Sequence, residues 1–258
     1  MAAPMTCMPR AGLRKFVTGR RARFMLAVLA CTLTVGAVPA CGGGQKARST
    51  TEASATASTT PGNAAADEAK ARTLLLRSSD FPAGWKSRPG RSAPEEPGRE
   101  VASCLGRPDP GTYTTARIDS PFFSLGDADA GSGAQLVRTV EDFRADMAAY
   151  SGPKYIPCAK STLTGSFRRH IRSRGGSLRS FSVEPLQIHR YGQISVGYRL
   201  TATVRAPWGE RLTIYTDAVL LGKERIELWA TFVNVDRPFD PALERALVAK
   251  LGSRLDAT

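Results

Sequence analysis

Residues 194–232 read ISVGYRLTATVRAPWGERLTIYTDAVLLGKERIELWATF, and apolar side chains alternate with polar ones along three runs of this stretch. Successive side chains of a strand point to opposite faces, so this alternation predicts half-buried antiparallel strands. The segments 206–209 (APWG) and 222–223 (GK) separate the runs and predict turns. The stretch therefore predicts a three-stranded meander.

Helical patterns surround this meander in the sequence. Downstream, Asp240 can cap a closing helix in which Leu243, Leu247 and Leu251 share one apolar stripe. The upstream predictions are helices over 66–76, 100–105, 141–150 and about 158–172, and a strand over 134–139. Strands and helices that are grouped rather than alternating indicate an α+β fold. We expect an antiparallel sheet with the helices packed on one side of it.

The first 40 residues have the composition of an export signal. Residues 1–23 contain six basic residues and no acidic one, and residues 24–38 carry no charge. A bilayer-spanning helix needs roughly 20 apolar residues, so a permanent transmembrane segment is the weaker alternative. The run ends in VPAC (38–41), which resembles the lipobox of bacterial lipoproteins. The resemblance implies cleavage after Ala40 and a diacylglyceryl group on Cys41, with ordinary signal-peptidase cleavage as the alternative.

Three segments follow from this N-terminus. Residues 1–40 are predicted to be the lipoprotein signal peptide, and residues 41–65 a lipidated, disordered tether. The tether sequence has no aromatic and no β-branched apolar residue, so it cannot bury enough surface to offset its ordering entropy. Residues 66–258 suit one extracytoplasmic domain. Two acyl chains on Cys41 would hold this domain stably at the outer face of the cell membrane.

Two cysteines, Cys104 and Cys158, remain once the signal and the lipidated residue are set aside. In an oxidising compartment such a pair is expected to form a disulfide, which would contribute about 4 kcal/mol by closing a long loop. A nucleophilic thiol beside a histidine is the alternative. The chain has only His170 and His189, and neither has metal-ligand spacing, so no metal site is predicted.

Catalytic and cofactor motifs are not found in the sequence. Gly192 and Gly197 flank Ser195 at the wrong spacing for a nucleophile elbow. Asp127 and Asp129 resemble the start of a calcium loop, but the distal glutamate that completes such a loop is missing. We therefore predict no catalytic residue and no cofactor.

Two further sets of side chains are of types used in catalysis or binding. Glu224 and Glu227 lie close in sequence, but paired-carboxylate chemistry is a remote interpretation for two acids of one strand. Trp85, Trp208 and Trp229 can line a ligand pocket, although aromatic residues in a domain of this size belong more often to the core.

A family resemblance rests on three segments, 74–85 (LLLRSSDFPAGW), 140–149 leading to Cys158, and 215–232. They resemble the sensor-domain lipoproteins of actinobacteria, which are similar to the extracellular sensor domains of mycobacterial receptor Ser/Thr kinases and remotely to PsbP-like lipoproteins. An excess of arginine over lysine, 28 to 8, fits a GC-rich genome of that kind. The resemblance implies a non-enzymatic domain that binds a small ligand or an envelope protein. A cell-wall or lipid hydrolase and a passive envelope protein are the alternatives.

Basic residues are concentrated in one part of the chain. Six of the 36 basic residues precede Cys41, which leaves 30 against 23 acidic ones, and residues 154–183 contain seven basic residues and no acid. On the predicted helix an apolar row of Leu163, Phe167 and Ile171 leaves neighbouring arginines on the outer side. The candidate anion-binding residues are Arg168, Arg169, Arg172 and Arg174. We expect them to face anionic lipid headgroups or acidic wall polymers, with a solvated helix face as the alternative. Nucleic acid is not an expected partner outside the membrane.

Overall fold

The computed structural model describes residues 64–89 and 96–258. The predicted signal peptide, Cys41 and nearly all of the predicted tether lie outside the described residues. The helices are α1 (Ala64–Leu74), α2 (Glu96–Cys104), α3 (Val140–Ser151), α4 (Tyr155–Ser173) and α5 (Pro241–Asp256). The strands are β1 (Lys86–Arg88), β2 (Thr114–Asp119), β3 (Phe122–Leu125), β4 (Ala128–Val137), β5 (Ser177–Pro185), β6 (Ile194–Arg205), β7 (Arg211–Lys223) and β8 (Ile226–Val235).

These strands form one antiparallel sheet, in which seven of them follow the order β1-β3-β4-β8-β7-β6-β5. The eighth strand, β2, pairs with the second half of β4. It lies on the same side of β4 as β3, which pairs with the first half, and β8 lies on the other side. The predicted meander is confirmed as β6, β7 and β8, with Tyr198 opposite Ala218 and Ala218 opposite Thr231. Strand β5, which was not predicted, extends the meander at its outer edge.

The helices lie on both faces of the sheet, and the prediction that they pack on one side is wrong. Helices α1 and α5 pack on one face through residues such as Leu74 and Leu251, which belong to the same core cluster as Leu228. Helices α3 and α4 pack on the other face. The reason is visible in β8, which is buried at every position except Trp229. A strand that is apolar on both faces needs cover on both.

The α+β class and the disulfide are both confirmed. Cys104 at the end of α2 is bonded to Cys158 in α4, with their Cα atoms 5.7 Å apart. Helix α4 begins at Tyr155, three residues before the predicted start, because Pro157 falls in the first turn, where a helix does not need its N–H. Asp240 caps α5 as predicted and accepts hydrogen bonds from the first backbone N–H groups of the helix. Within the described ranges no helix is both long and apolar enough to cross a membrane.

Candidate functional site

A cavity of about 60 Å³ lies on the face of the sheet that carries α3 and α4. Strands β4, β6, β7 and β8 contribute to its lining, together with the end of α3 and the start of α4. The polar and aromatic side chains of the lining are Gln135, Tyr150, Tyr155, Tyr198, Glu227, Trp229 and Thr231. A concave surface of mixed aromatic and polar character therefore lies between the sheet and these helices.

Three tyrosines form one wall of the cavity. Tyr150 ends the buried stripe of α3 and Tyr155 opens α4, so the short break between the helices brings their rings within 5.8 Å. Tyr198 of β6 contacts the Tyr155 ring at 4.4 Å, and its hydroxyl donates to the Tyr150 carbonyl at 2.5 Å. Burial raises the pKa of all three hydroxyls above the ordinary value. At neutral pH this wall therefore presents uncharged hydroxyl groups.

The floor of the cavity is apolar and lies in the middle of the sheet. Ala218 and Leu220 of β7 and Trp229 of β8 are partly exposed although strands flank them on both sides. The Trp229 indole lies against Gly133, where an added Cβ would come within 2.1 Å of the ring. The Arg117 guanidinium stacks on the same indole, 4.6 Å from its centroid. These contacts fix the indole in place beside the cavity.

Two acidic side chains are buried next to the cavity. Asp146 of α3 is 1% exposed, and Glu227 of β8 is 2% exposed. Arg107 Nε donates to Asp146 Oδ1 at 2.7 Å, and the Tyr113 hydroxyl donates to the same oxygen at 2.9 Å. Gln135 Nε2 donates to Glu227 Oε2 at 2.6 Å. Each carboxyl group thus has one oxygen bound to a donor.

The other two oxygens, Asp146 Oδ2 and Glu227 Oε1, have no donor among the described residues outside the pair itself. The two carboxyl groups hydrogen bond each other, and burial together with the Asp146 charge raises the pKa of Glu227 well above its ordinary value. Two adjacent charges out of water would be costly, so Glu227 stays protonated. Protonated Glu227 donates to Asp146, whose charge is balanced by Arg107.

The disulfide holds both the acid cluster and the tyrosine wall. Arg107, which binds Asp146, lies three residues beyond Cys104, and Tyr155 lies three residues before Cys158. The crosslink therefore fixes the loop after α2 and the first turn of α4 to each other.

A second acid pair lies on the opposite face of the sheet. Arg199 of β6 binds Asp217 of β7 through two hydrogen bonds of 2.6 Å, and Glu244 of α5 hydrogen bonds Asp217. Burial, followed by the Asp217 charge, raises the pKa of Glu244 to about 8. The pair connects α5 to the sheet, so the protonation of Glu244 contributes to the packing of this helix on the sheet.

The four predicted anion-binding arginines are all exposed, and the structure places none of them in the cavity. The apolar row behind them is confirmed, since Leu163, Phe167 and Ile171 are at most 2% exposed. Arg169 forms an ion pair with Glu100 of α2 at 3.6 Å. Anion binding by Arg168, Arg169, Arg172 and Arg174 stays a prediction.

The residues weighed for catalysis are not assembled into a catalytic site. Glu224 is exposed in the turn between β7 and β8, with a φ of 56°, whereas Glu227 is buried. Ser195 Oγ donates to the Tyr191 carbonyl at 2.7 Å. His189 is exposed and contacts the Tyr191 ring edge-on. Across residues 64–89 and 96–258 no group of three His, Cys, Asp or Glu side chains is arranged to hold a metal ion.

The acid pair was not predicted, although both members leave a signal in the sequence. Asp146 lies on the same helical stripe as Phe143, Met147 and Tyr150, which is the buried face of α3. Glu227 stands in a strand whose other residues are almost all buried. An acid on an apolar stripe needs a buried partner.

The three tryptophans weighed for a ligand pocket are separated by the fold. Trp229 lines the cavity, while Trp85 packs in the core on the opposite face against Phe81. Trp208 packs against a further core cluster, beside α4. One of the three therefore belongs to the cavity.

Comparisons with known proteins give a remote likeness to a solved structure. No protein-family model and no curated protein matches the chain. Among solved structures the chain is similar to the extracellular domain of PknH from Mycobacterium tuberculosis, with 10% sequence identity and a TM-score of 0.40. The match covers 78% of this chain and 100% of that one.

Proposed function

We propose that this chain is an extracytoplasmic lipoprotein whose domain, residues 66–258, binds a small ligand in the tyrosine-lined cavity and is not an enzyme. The observation that carries the proposal is the cavity itself, a concave site with an apolar floor and a few polar groups, as is usual for ligand sites. The disulfide supports an oxidising compartment. The VPAC sequence at 38–41 and the tether that follows support an anchor at Cys41.

The lining indicates the chemistry of the ligand. Gln135 Oε1 is buried and has no donor among the described residues, so a ligand group that donates a hydrogen bond there would satisfy it. The floor of Leu220 and Trp229 favours an apolar or aromatic body, and the tyrosine hydroxyls add uncharged polar contacts. We infer an uncharged, largely apolar ligand with a hydroxyl or amide donor.

The size of the cavity limits how much of the ligand enters it. A cavity of about 150 Å³ accommodates benzene, and this one is about 60 Å³. Only one end of such a ligand fits inside without movement of the walls. The remainder would lie over Tyr198 and Trp229, two partly exposed members of the lining.

A hydrolase is a second candidate, and the buried acid pair is the observation that favours it, because two adjacent carboxyl groups can act as acid and base. Against this function, Asp146 is bound by Arg107 and Tyr113, contacts that neutralise and fix it. The pair also lies at 1% and 2% exposure. We therefore assign the pair to holding α3 on the sheet behind the cavity.

The test is to identify what the full chain carries when it is purified from its native envelope in mild detergent. We expect native mass spectrometry to show a bound small molecule, and Ala218→Leu, which fills the floor, to abolish its retention. Ala148→Leu is the matched control, because Ala148 is exposed on α3. A ligand kept equally by both variants, or a molecule that the chain converts to product, would contradict the proposal.

A further inference from the structure

One end of the domain is formed by the C-terminus of α4 and the turn between β6 and β7. Gly175 follows α4 with a φ of +77°, and a Cβ added there would lie 3.5 Å from Pro207 Cγ. Trp208, in the same turn, packs against the core cluster that contains Phe167 and Ile171 of α4. The helix end and the turn therefore make one continuous surface.

Four exposed arginines lie at this end, and we call Arg172, Arg174, Arg205 and Arg211 the basic end. Arg205 closes β6 and Arg211 opens β7, and the register places them directly opposite each other. Like charges in directly opposed positions destabilise a strand pair. A binding partner that neutralises them would offset that cost. Because 205 and 211 lie outside the basic run at 154–183, the sequence alone does not bring these four residues together.

Two acidic residues near the basic end are already engaged. Glu210 Oε2 accepts a hydrogen bond from the Trp208 indole at 2.9 Å. Asp236 Oδ1 accepts one from the backbone N–H of Thr213 at 2.9 Å. With four cationic groups against two carboxylates, this surface keeps a positive excess.

The basic end also carries an apolar element. Trp208 is partly exposed between the arginines of the strand ends, and Pro207 beside it is exposed. An indole with its N–H hydrogen bonded and its ring partly open is suited to the boundary between lipid and water. A water-soluble polyanion would recognise the arginines without needing this ring. The combination therefore favours a membrane surface over an acidic polymer.

We propose that the basic end docks on a surface of anionic phospholipid headgroups. The surface lies apart from the ligand cavity, since none of its residues lines that cavity. It moves the predicted anion site from the middle of α4 to this end of the domain. Arg172 and Arg174 lie there on the α4 side of the sheet, and Arg205 and Arg211 project from its other face, since their neighbours Val204 and Leu212 face α4. Headgroup phosphates would bind the guanidinium groups, and the Trp208 ring would rest among the glycerol groups.

The test is hydrogen–deuterium exchange of the full chain mixed with vesicles of phosphatidylcholine, alone or with about 30 mol% phosphatidylglycerol, the anionic lipid that raises the surface charge. We expect protection of peptides covering 172–180 and 204–212 with the anionic vesicles only. That protection should fade as salt rises, because exposed charges are screened beyond about 8 Å at physiological salt. Equal exchange with both kinds of vesicle would overturn the proposal.

Charge-reversal variants distinguish binding by the basic end from a general effect of net charge. The double variant Arg172→Glu with Arg205→Glu should raise the lipid concentration for half-maximal protection at least tenfold. The control, Arg72→Glu with Arg144→Glu, changes the net charge equally at exposed sites on α1 and α3 and should leave that concentration unchanged. If charge reversal impairs folding, the glutamine versions of the first pair provide the same comparison. Soluble polyphosphate should protect the same peptides only weakly, and Trp208→Gln should not change that protection. Protection by polyphosphate that equals that of anionic vesicles would replace lipid with a polyanion as the partner.

Discussion

Glu227 on β8 hydrogen bonds Asp146 on α3 behind the cavity, and burial together with the Asp146 charge raises the pKa of Glu227 well above its ordinary value. The two residues differ in what they hold. Asp146 balances the charge of Arg107, whereas Glu227 accepts from Gln135 and donates to Asp146. Their substitutions should therefore differ in cost.

Asp146→Asn should destabilise the protein by about 3–5 kcal/mol, because it leaves the Arg107 guanidinium without its buried counter-charge. Glu227→Gln should cost about 1 kcal/mol or less, since an amide keeps a donor toward Asp146. Denaturant unfolding of both variants measures the two free energies. Equal costs would show that the two carboxyl groups do not divide these roles between them.

Glu244 should make stability depend on pH. Its pKa is raised from 4.5 to about 8, so the folded protein binds a proton that the unfolded chain has released above pH 4.5. Stability must then fall as pH rises from about 4.5 to 8, and the group adds no further loss above that range. We expect Glu244→Gln to flatten this slope, removing on the order of 5 kcal/mol between the two ends. Glu141→Gln, at an exposed site on α3, should leave the profile of the melting temperature unchanged.

Gly133 should tolerate no side chain, because a Cβ there would overlap the Trp229 indole. Gly133→Ala should cost about 1–3 kcal/mol and displace the cavity floor, which a change in tryptophan fluorescence would report. Gly165→Ala, in α4, is the control. Its nearest neighbour is the end of the Arg169 side chain at 3.6 Å, so it should stabilise the protein by about 0.5–1 kcal/mol. A Gly133→Ala protein with native fluorescence and stability would refute this packing.

Removal of the disulfide should reduce both stability and ligand retention. Cys104→Ser with Cys158→Ser is expected to cost about 4 kcal/mol, because the crosslink no longer restricts the unfolded chain. It also frees the segments that carry Arg107 and Tyr155. Calorimetry of the wild type with and without reductant should reproduce the loss of stability. Retention of the ligand at full occupancy in the variant would show that the cavity does not depend on the disulfide.

The anchor prediction at Cys41 is checked by fractionation. Cys41→Ser should release the protein into the medium or leave it uncleaved as a precursor, because no thiol remains to carry the acyl chains. Membrane association of this variant at the mature mass would contradict the predicted lipobox at 38–41.

The meander was predictable because β6 and β7 alternate apolar and polar residues, and the α5 stripe because Asp240 and the leucines follow simple local rules. Strand β5 was not, since its burial pattern is irregular and a bulge interrupts its pairing between Leu178 and Ser180. The cavity is lined by residues from four strands and two helices, and no local pattern in the sequence predicts that these residues lie together. The disulfide was predictable by count, but its position beside Arg107 and Tyr155 required the fold.

The most direct measurement of the ligand-binding function is a crystal structure of the protein purified from its native envelope. The proposal predicts electron density between Gln135 and Trp229, with a donor group within hydrogen-bond distance of Gln135 Oε1. The same cavity, well ordered and holding only water in protein that has never been exposed to denaturant, would contradict it.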